Sequence, residues 1–275
     1  MHDDSPACHP LSLTRKIEDY PIGNIPLHEH QQRVVASSDI GFHSHAWLDL
    51  AEITNLDGTL TDGTLTPIAW SGTTPDLSRT QVAAASFIIR HPWDLLRANE
   101  VFIAALSQSS ILGDVHAHAV IEGTLHLGEG TRVLPGVFIE GNVIIGGNCK
   151  IGPNCYIRGN TTIGDSCHIG QSVEIKNCLI LSNTNVGHLS YIGDSVLGEK
   201  VNLGAGTTTS NLRHDGKNHF SMVGDLLTDT GRRKFGTIIG DHVHTGIHTS
   251  IYPGRKLWPH TTTRPGAIIQ KDLKS

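Results

Sequence analysis

The chain of 275 residues predicts an all-β fold, a parallel β-solenoid that follows a small mixed segment. The first observation is an aliphatic residue at every sixth position. Six residues are three strand periods, so all these residues point to the same side of the chain. The ladder consists of Val115, Ile121, Leu127, Val133, Ile139, Ile145, Ile151, Ile157, Ile163, Ile169 and Ile175. Three faces of six residues make a coil of eighteen, and such repeats are typical of a solenoid.

Two further observations support the solenoid. The position two residues before each ladder member is mostly small or β-branched, as expected where three faces converge on a narrow axis. These residues are Gly113, Ala119, Leu125, Thr131, Val137, Val143, Cys149, Cys155, Thr161, Cys167 and Val173. Gly or Asn often follows the ladder residue, and both tolerate the backbone angles of sharp corners. The ladder resumes at Ile239, Thr245, Ile251, Leu257, Thr263 and Ile269.

Residues 1–107 carry no period of six and predict a separate segment before a β-helix of residues 108–275. Pro92 suits the first turn of a helix, and the apolar spacing after it predicts a helix over 92–106. One role for the segment is to cover the first coil, which would otherwise expose its strand edges.

The period fails in a polar stretch, which predicts a loop excursion at 208–236. Long loops are often functional. Its run Arg232-Arg233-Lys234 either attracts phosphates or is a solvated charge run. The ladder also slips by one residue at Val186 and again at Leu197, and unusual backbone often marks a site.

Composition narrows the function classes. A net charge of −5 and a pI near 6.4 argue against nucleic-acid binding. No stretch approaches the roughly 18 apolar residues of a membrane span. The start of the chain has neither the basic nor the apolar region of a secretory signal, so a cytoplasmic location is expected.

Cysteine and histidine patterns do not predict a metal site. The chain has no CxxC pair, and Cys149, Cys155 and Cys167 all fall on inward positions, which favours a structural role. Four His-x-His pairs would share a face if they lay on strands, but no third ligand is identifiable. These pairs are His28/His30, His43/His45, His116/His118 and His242/His244.

The stretch 172–211 contains residue types suited to acyl transfer. His188 is a natural general base for an amine or hydroxyl near neutral pH. Backbone N–H groups of the turn Gly204-Ala205-Gly206 could stabilise an oxyanion from a thioester. Lysine and arginine would hold a phosphate. The types fit acyl transfer to a phosphorylated sugar, and the alternative is a set of outward polar residues without chemistry.

Five segments carry a resemblance to a known family. In order they are VEIKN, GHLSYIGD, VNLGAGTTTSN, DGKNH and GTIIGDHVHTG, within residues 145–270. They resemble the acetyltransferase domain of the bifunctional glucosamine-1-phosphate N-acetyltransferase and N-acetylglucosamine-1-phosphate uridylyltransferase family. The resemblance implies a left-handed parallel β-helix, a homotrimer with sites between subunits, and acetyl-CoA as co-substrate. The left hand is an exception to the usual crossover rule.

The resemblance also implies roles for single residues. His188 would deprotonate the sugar amine, and Asn211 would lie beside the acetyl group. Glu174 would orient this network, and the backbone N–H of Ala205 would meet the thioester oxygen. The residues implied to bind the acceptor are Arg158 and Lys176 at the phosphate, Tyr191 and Asn202 at the sugar, and Lys217. Acetyl-CoA would lie near Gly246 and Pro265.

The chain departs from the family in its loop and its N-terminal part. The segment from Asn211 to Gly216 is two residues longer than the family pattern, and a family lysine falls on His219 or Lys217. Ile247 replaces a serine in the CoA region, and residues 220–234 are additional. PLSLTR and RHPWDLLRAN resemble the beginning and end of a nucleotidyltransferase domain. Residues 1–107 are therefore interpreted as a shortened remnant without that activity.

The predicted function is acetyl-CoA-dependent acetylation of an amino-sugar phosphate, such as glucosamine-1-phosphate. One alternative is O- or N-acylation of another sugar or of a nucleotide-sugar. Another is a scaffold that binds a sugar phosphate without catalysis.

Overall fold

A computed structural model describes residues 5–36 and 39–275. Short elements come first, and a parallel β-helix follows. The helices are α1 (Leu27–Val35), α2 (Leu50–Ile53) and α3 (Pro92–Ala104), with 3₁₀ turns at Pro6–Cys8, Leu11–Leu13 and Ile17–Asp19. The early strands are Pro21–Ile22 with Ile25–Pro26, Ala46–Trp47 with Phe87–Ile88, and a sheet in the order Ile40–Phe42, Pro67–Ser71, Thr59–Thr61 and Thr80–Val82.

The β-helix has three faces, which we call A, B and C in chain order. Face A consists of Asp114–Val115, Arg132–Val133, Lys150–Ile151, His168–Gln171, Asn185–His188 and Asn202–Leu203, and continues through bridges at His244 and Thr262. Face B consists of Tyr156–Arg158, Glu174–Lys176, Tyr191–Gly193, Thr208–Thr209, Ser250–Ile251 and Ile268–Ile269. Face C consists of Ser110–Ile111, Thr161–Ile163, Leu179–Ile180, Val196–Leu197, Thr237–Ile239 and Arg255–Leu257. Val120–Leu127 and Phe138–Ile145 each run along faces B and C in turn.

The register confirms the predicted coil. Val133 pairs with Ile151 and Ile151 with Ile169, so equivalent residues are eighteen apart and stack in parallel. From Leu127 onward the aliphatic ladder residues described above are 0–2% exposed, apart from Ile269 at 9%. Cys149, Cys155 and Cys167 lie in the same core, as predicted. The predicted fold class, a left-handed parallel β-helix with a small mixed N-terminal segment, is confirmed.

Two coils are one residue shorter than the others, and the predicted position of the first slip is wrong. Ile163 pairs with Ile180 and Ile180 with Leu197, each seventeen residues on. The first slip therefore precedes Ile180 rather than Val186. Both short corners join face B to face C and contain a left-handed residue, Asn177 (φ 52°) in one and Asp194 (φ 50°) in the other.

The loop excursion leaves the helix from this same B–C corner. The chain departs after the face B strand Thr208–Thr209 and returns at the face C strand Thr237–Ile239. The excursion is not structureless, because Phe220–Val223 and Leu226–Asp229 form an antiparallel hairpin. In three successive coils the B–C corner is therefore irregular: it is one residue short in two of them, and it is replaced by the loop in the third.

The N-terminal segment lies on face C rather than over the first coil. Trp93 and Leu96 of α3 belong to a buried cluster with Leu179, Val196 and Phe235 of the β-helix part. The first coil stays open, with Ile111 46% and Leu112 70% exposed. The position expected for this segment is therefore corrected, and its assignment as a nucleotidyltransferase remnant stays a prediction.

Helix α3 begins where the sequence predicts. Pro92 occupies the first turn, and the side chains of His91 and Asp94 form a capping box. Its Asn99 is fully buried and accepts from Thr162 of face C at 2.6 Å. The helix is thus bonded to the side of the β-helix through polar as well as apolar contacts.

Lys256 gives a testable pH dependence of stability. It is 1% exposed, and its Nζ donates to the Met222 carbonyl at 2.6 Å. Burial lowers the pKa of Lys256 to about 8 from 10.5. Between these values the folded state binds fewer protons than the unfolded state, so the free energy of unfolding should rise with pH there. Below about 8 the full destabilisation by the buried charge applies.

We expect Lys256→Met to lose this rise, measured by urea unfolding between pH 7 and 10. Burial raises the pKa of the Cys155 and Cys178 thiols to about 12, which acts in the opposite direction at high pH. Both proteins share that effect, so their difference isolates Lys256. Parallel stability curves for the two proteins would contradict the prediction.

Candidate active site

Three predicted site residues and one further residue meet at the B–C corner. We call these four residues, Lys176, Tyr191, Asp194 and Asn211, the corner cluster. Lys176 Nζ lies 3.0 and 2.8 Å from the two carboxylate oxygens of Asp194. Asp194 is 3% exposed and Lys176 14% by side chain. Asn211 Nδ2 donates to Asp194 at 2.5 Å and to the Tyr191 hydroxyl at 2.9 Å. The cluster thus holds a buried ion pair.

The amide of Asn211 has a fixed orientation. Its nitrogen makes both bonds just described, and no donor to its Oδ1 is found among residues 5–36 and 39–275. His219, which is 2% exposed, holds the Asn211 carbonyl through Nε2 at 3.0 Å. Burial lowers the pKa of His219, so the ring tends to be neutral and donates one hydrogen. The arrangement offers Asn211 Oδ1 as an acceptor for a ligand N–H.

Arg158 and Glu174 form a pair beside the cluster on face B. Arg158 Nε lies 2.9 Å from Glu174 Oε1, and both side chains are about one-third exposed. Burial raises the pKa of Tyr191, and the negative charges of Asp194 and Glu174 raise it further. Tyr191 therefore keeps its proton and can donate to a ligand oxygen. Five predicted site residues, Arg158, Glu174, Lys176, Tyr191 and Asn211, share this region.

His188 and Ala205 lie at another edge, the corner between faces A and B. Asn185 pairs with Asn202 and Val186 with Leu203, so Ala205 stacks on His188 one coil later. Gly206 N–H donates to the His188 carbonyl at 3.1 Å, which confirms this stacking. Adjacent strands lie about 4.8 Å apart. The His188 side chain is exposed and so open to a ligand.

The N–H of Ala205 has no acceptor within the described parts of the chain. The equivalent positions of other coils explain why, because Pro135, Pro153 and Pro265 occupy them and lack this N–H altogether. A coil therefore forms without a backbone hydrogen bond from the N–H at this position. An outward N–H next to a histidine fits the carbonyl oxygen of a thioester.

The remaining predicted residues lie in three places: the A–B corner, face A and the loop. Gly246 stacks on Gly204, and Pro265 stacks next to Gly246, so both continue the A–B corner. Asn202 is exposed on face A, where it bridges to His244. Lys217 is exposed in the loop, with its backbone N–H bonded to Asp215. Within one chain Lys217 does not join either group.

Sequence reasoning missed Asp194, which has more site contacts than any predicted residue of the cluster. Its signal in the sequence is the second slip of the ladder, which shortens the corner between Ile192 and Leu197 where Asp194 lies. The sequence predicts that Arg232 either attracts phosphates or belongs to a solvated charge run. Instead it forms an ion pair with Glu100 of α3, and its side chain is 17% exposed.

A pocket of about 580 Å³ lies next to Asn211 on face B. The loop residues Leu212, Arg213 and His214 and the face B residue Tyr252 line it. Arg213 forms a bidentate pair with Asp215, at 2.9 and 2.6 Å. The pocket is within the size range of small-molecule sites.

No group of three or more His, Cys, Asp or Glu residues in the described ranges could hold a metal ion. The assumption that His28 and His30 share a strand face is wrong, because both lie on helix α1. The described part of the chain also has no helix long and apolar enough to cross a membrane.

Removing the Asp194 carboxylate should destabilise the protein. Asp194→Ala leaves the Lys176 ammonium largely buried without its counter-ion, which costs about 3 kcal/mol of unfolding free energy. Urea denaturation of wild type and variant measures the difference. The double variant Lys176→Met/Asp194→Ala removes both charges and should recover part of the loss. A single variant as stable as wild type would contradict the predicted pair.

Comparisons with known proteins find similar sequences for the β-helical part of the chain. A family model described as the GMPPB C-terminal domain matches residues 139–265. The bifunctional sugar-1-phosphate nucleotidylyltransferase/acetyltransferase of Sulfurisphaera tokodaii is 40% identical over 185 residues, which are 67% of this chain and 46% of that protein. The bifunctional protein GlmU of Methanococcus aeolicus is 39% identical over 186 residues, or 68% and 45%. The solved structure of the polySia specific acetyltransferase NeuO covers 61% of this chain and 80% of its own, at 21% identity and a TM-score of 0.29.

The matched region corresponds to less than half of each curated relative. Residues 139–265 lie entirely within the β-helix and include both groups of candidate residues. The β-helical part of this chain therefore resembles the left-handed β-helix acetyltransferase domain of the bifunctional sugar-1-phosphate nucleotidylyltransferase/acetyltransferase family.

Proposed function

We propose that the β-helix is an acyl-CoA-dependent acyltransferase. More specifically, we propose that it uses acetyl-CoA to acetylate the amine of an amino-sugar phosphate, such as glucosamine-1-phosphate. The observation that carries the proposal is the stacking of His188 on Ala205, which combines a base with an unpaired N–H at one corner. The Sulfurisphaera tokodaii relative is named a bifunctional sugar-1-phosphate nucleotidylyltransferase/acetyltransferase, which supports the same acceptor class.

The proposed chemistry is direct transfer without a covalent enzyme intermediate. His188 accepts the proton that the acceptor amine loses as its nitrogen bonds to the acetyl carbonyl carbon. The Ala205 N–H donates to the carbonyl oxygen as negative charge develops there. The carbon–sulfur bond breaks, and the imidazolium of His188 returns the proton to the CoA thiolate.

The corner cluster and its neighbours would bind the acceptor. Arg158 uses only part of its guanidinium on Glu174, which leaves further N–H donors for a phosphate. Lys176 has three N–H donors, so its pair with Asp194 leaves at least one for the phosphate. Tyr191 would donate to a sugar hydroxyl, and Asn211 Oδ1 would accept from the attacking amine.

The proposed assembly is a homotrimer, in which the A–B corner of one subunit faces the B–C corner of another. Leu189 and Ile247 at the A–B corner are 65% and 51% exposed, and an interface would cover them. Acetyl-CoA would lie along the same corner past Gly246 and Pro265. A cytoplasmic location is part of the proposal.

The pocket beside Asn211 favours a second candidate, a larger acceptor such as a nucleotide-linked amino sugar. Its aromatic wall Tyr252 would stack on a base, and the loop residues Leu212 and His214 would contact the remainder. Residues of the extended loop between Asn211 and Gly216 line the same pocket, so acceptor choice would depend on this loop.

A CoA thiol-release assay tests the function. The purified protein is given acetyl-CoA and, in turn, glucosamine-1-phosphate, galactosamine-1-phosphate or a nucleotide-linked amino sugar. We expect turnover with an amino-sugar phosphate. Preference for the nucleotide-linked sugar would support the second candidate. CoA binding without release in the presence of any acceptor would support a scaffold instead.

A further inference from the structure

Glu100 connects the N-terminal segment to the corner cluster. It lies on helix α3, outside the β-helix, and accepts from Asn177 Nδ2 at 2.6 Å. It also forms a two-point ion pair with Arg232 of the loop, with one contact at 3.1 Å. The Glu100 and Arg232 side chains are 25% and 17% exposed, so the pair is largely shielded from water.

The contact continues from Asn177 into the cluster. Asn177 Nδ2 lies 3.0 Å from Asp194 Oδ1, while Asp194 Oδ2 accepts from Lys176 and Asn211. Asn177 stands at the first short corner and Asp194 at the second, so both backbones are fixed by left-handed turns. A displacement of Asn177 would therefore move the carboxylate that orients Asn211.

A second route runs through the loop. His219 N–H donates to the Arg232 carbonyl at 2.8 Å, and His219 Nε2 holds the Asn211 carbonyl at 3.0 Å. Arg232 in turn is anchored on Glu100. The departing and returning ends of the loop are thus tied to each other and to helix α3.

We propose that Glu100 is a positioning residue for acyl transfer, through which the N-terminal segment sets the geometry of Asn211 and Lys176. The inference rests on the proposed function for its chemical consequence. Glu100 contacts neither Lys176 nor Asn211 directly, and it acts through Asn177, Asp194 and Arg232. Through Glu100 the N-terminal segment would contribute to the reaction itself. A segment that only covered the β-helix would make no such contribution.

The chain supplies a matched control. Arg15 and Glu199 form another ion pair between the N-terminal segment and the β-helix, at 2.7 Å and with side chains 26% and 29% exposed. Neither residue contacts the corner cluster in the described structure. Glu199→Ala therefore removes a comparable attachment without affecting the route to Asn211.

The test compares Glu100→Ala, Glu199→Ala and Glu100→Gln in the CoA thiol-release assay. We expect Glu100→Ala to lower kcat about tenfold, because sub-ångström misplacement of a reacting group is costly. The KM for acetyl-CoA should stay unchanged, since that substrate lies at the A–B corner. Glu100→Gln keeps an acceptor for Asn177 and should recover most of kcat. Glu199→Ala should match wild type.

Amide hydrogen exchange of residues 210–219 gives a readout that needs no activity. Faster exchange there in Glu100→Ala, but not in Glu199→Ala, would support the positioning role even if wild type transferred no acyl group, in which case the proposed function alone fails. An active Glu100→Ala protein with unchanged kcat and unchanged exchange would overturn the inference. Equal losses in both alanine variants would also overturn it, because they would indicate general attachment only.

Discussion

Replacing His188 by alanine is expected to slow acyl transfer by at least about 100-fold. The imidazole stacks on Ala205 at the A–B corner, and a histidine can accept a proton near neutral pH. Without it the acceptor amine must lose its proton to water. The side chain is exposed, so its removal should leave the unfolding free energy nearly unchanged.

His168→Ala is the control for this variant. His168 lies on the same face one coil earlier, and burial lowers its pKa, as do the nearby charges of Lys150 and His188. It does not stand at the corner position, so kcat of this variant should stay within about twofold of wild type. Steady-state thiol release at saturating acetyl-CoA measures both variants. A His188→Ala protein with full rate would remove histidine as the base.

Ala205→Pro is expected to lower kcat by about 100- to 1000-fold, the usual effect of losing an oxyanion donor. The substitution removes one hydrogen-bond donor and adds no polar atom. The backbone should tolerate it, because Pro135 and Pro265 occupy the same position in other coils.

Ala205→Gly is the matched variant, since it changes the side chain and keeps the amide. We expect it to retain nearly all activity, while thermal unfolding shows that both variants are folded. Activity of Ala205→Pro close to that of wild type would mean that another donor meets the thioester oxygen. The neighbouring Ile247 N–H, at the equivalent position of the next coil, would then be the first to test.

The two groups of candidate residues were predictable to different degrees. The stacking of His188 on Ala205 follows from counting, once the coil length and the short coils are known, because their separation of seventeen residues is one coil. Lys176, Tyr191 and Asn211 were identified by resemblance, and the structure brings them together. Their common partner Asp194 was overlooked, because a polar residue at a corner looks like an ordinary turn residue in the sequence.

The sequence by itself determined the β-helix, because a period of six and its inward aliphatic residues are local properties that need no distant partner. Only the tertiary structure decided where the N-terminal segment lies and what it touches. Glu100 is 77 residues from Asn177 and 132 from Arg232 along the chain, and neither separation follows from the coil repeat, because Glu100 lies outside the β-helix. Contacts of that kind arise from how a separate segment packs on one face of the β-helix. A periodic pattern specifies the coil and leaves the choice of covered face to side-chain packing.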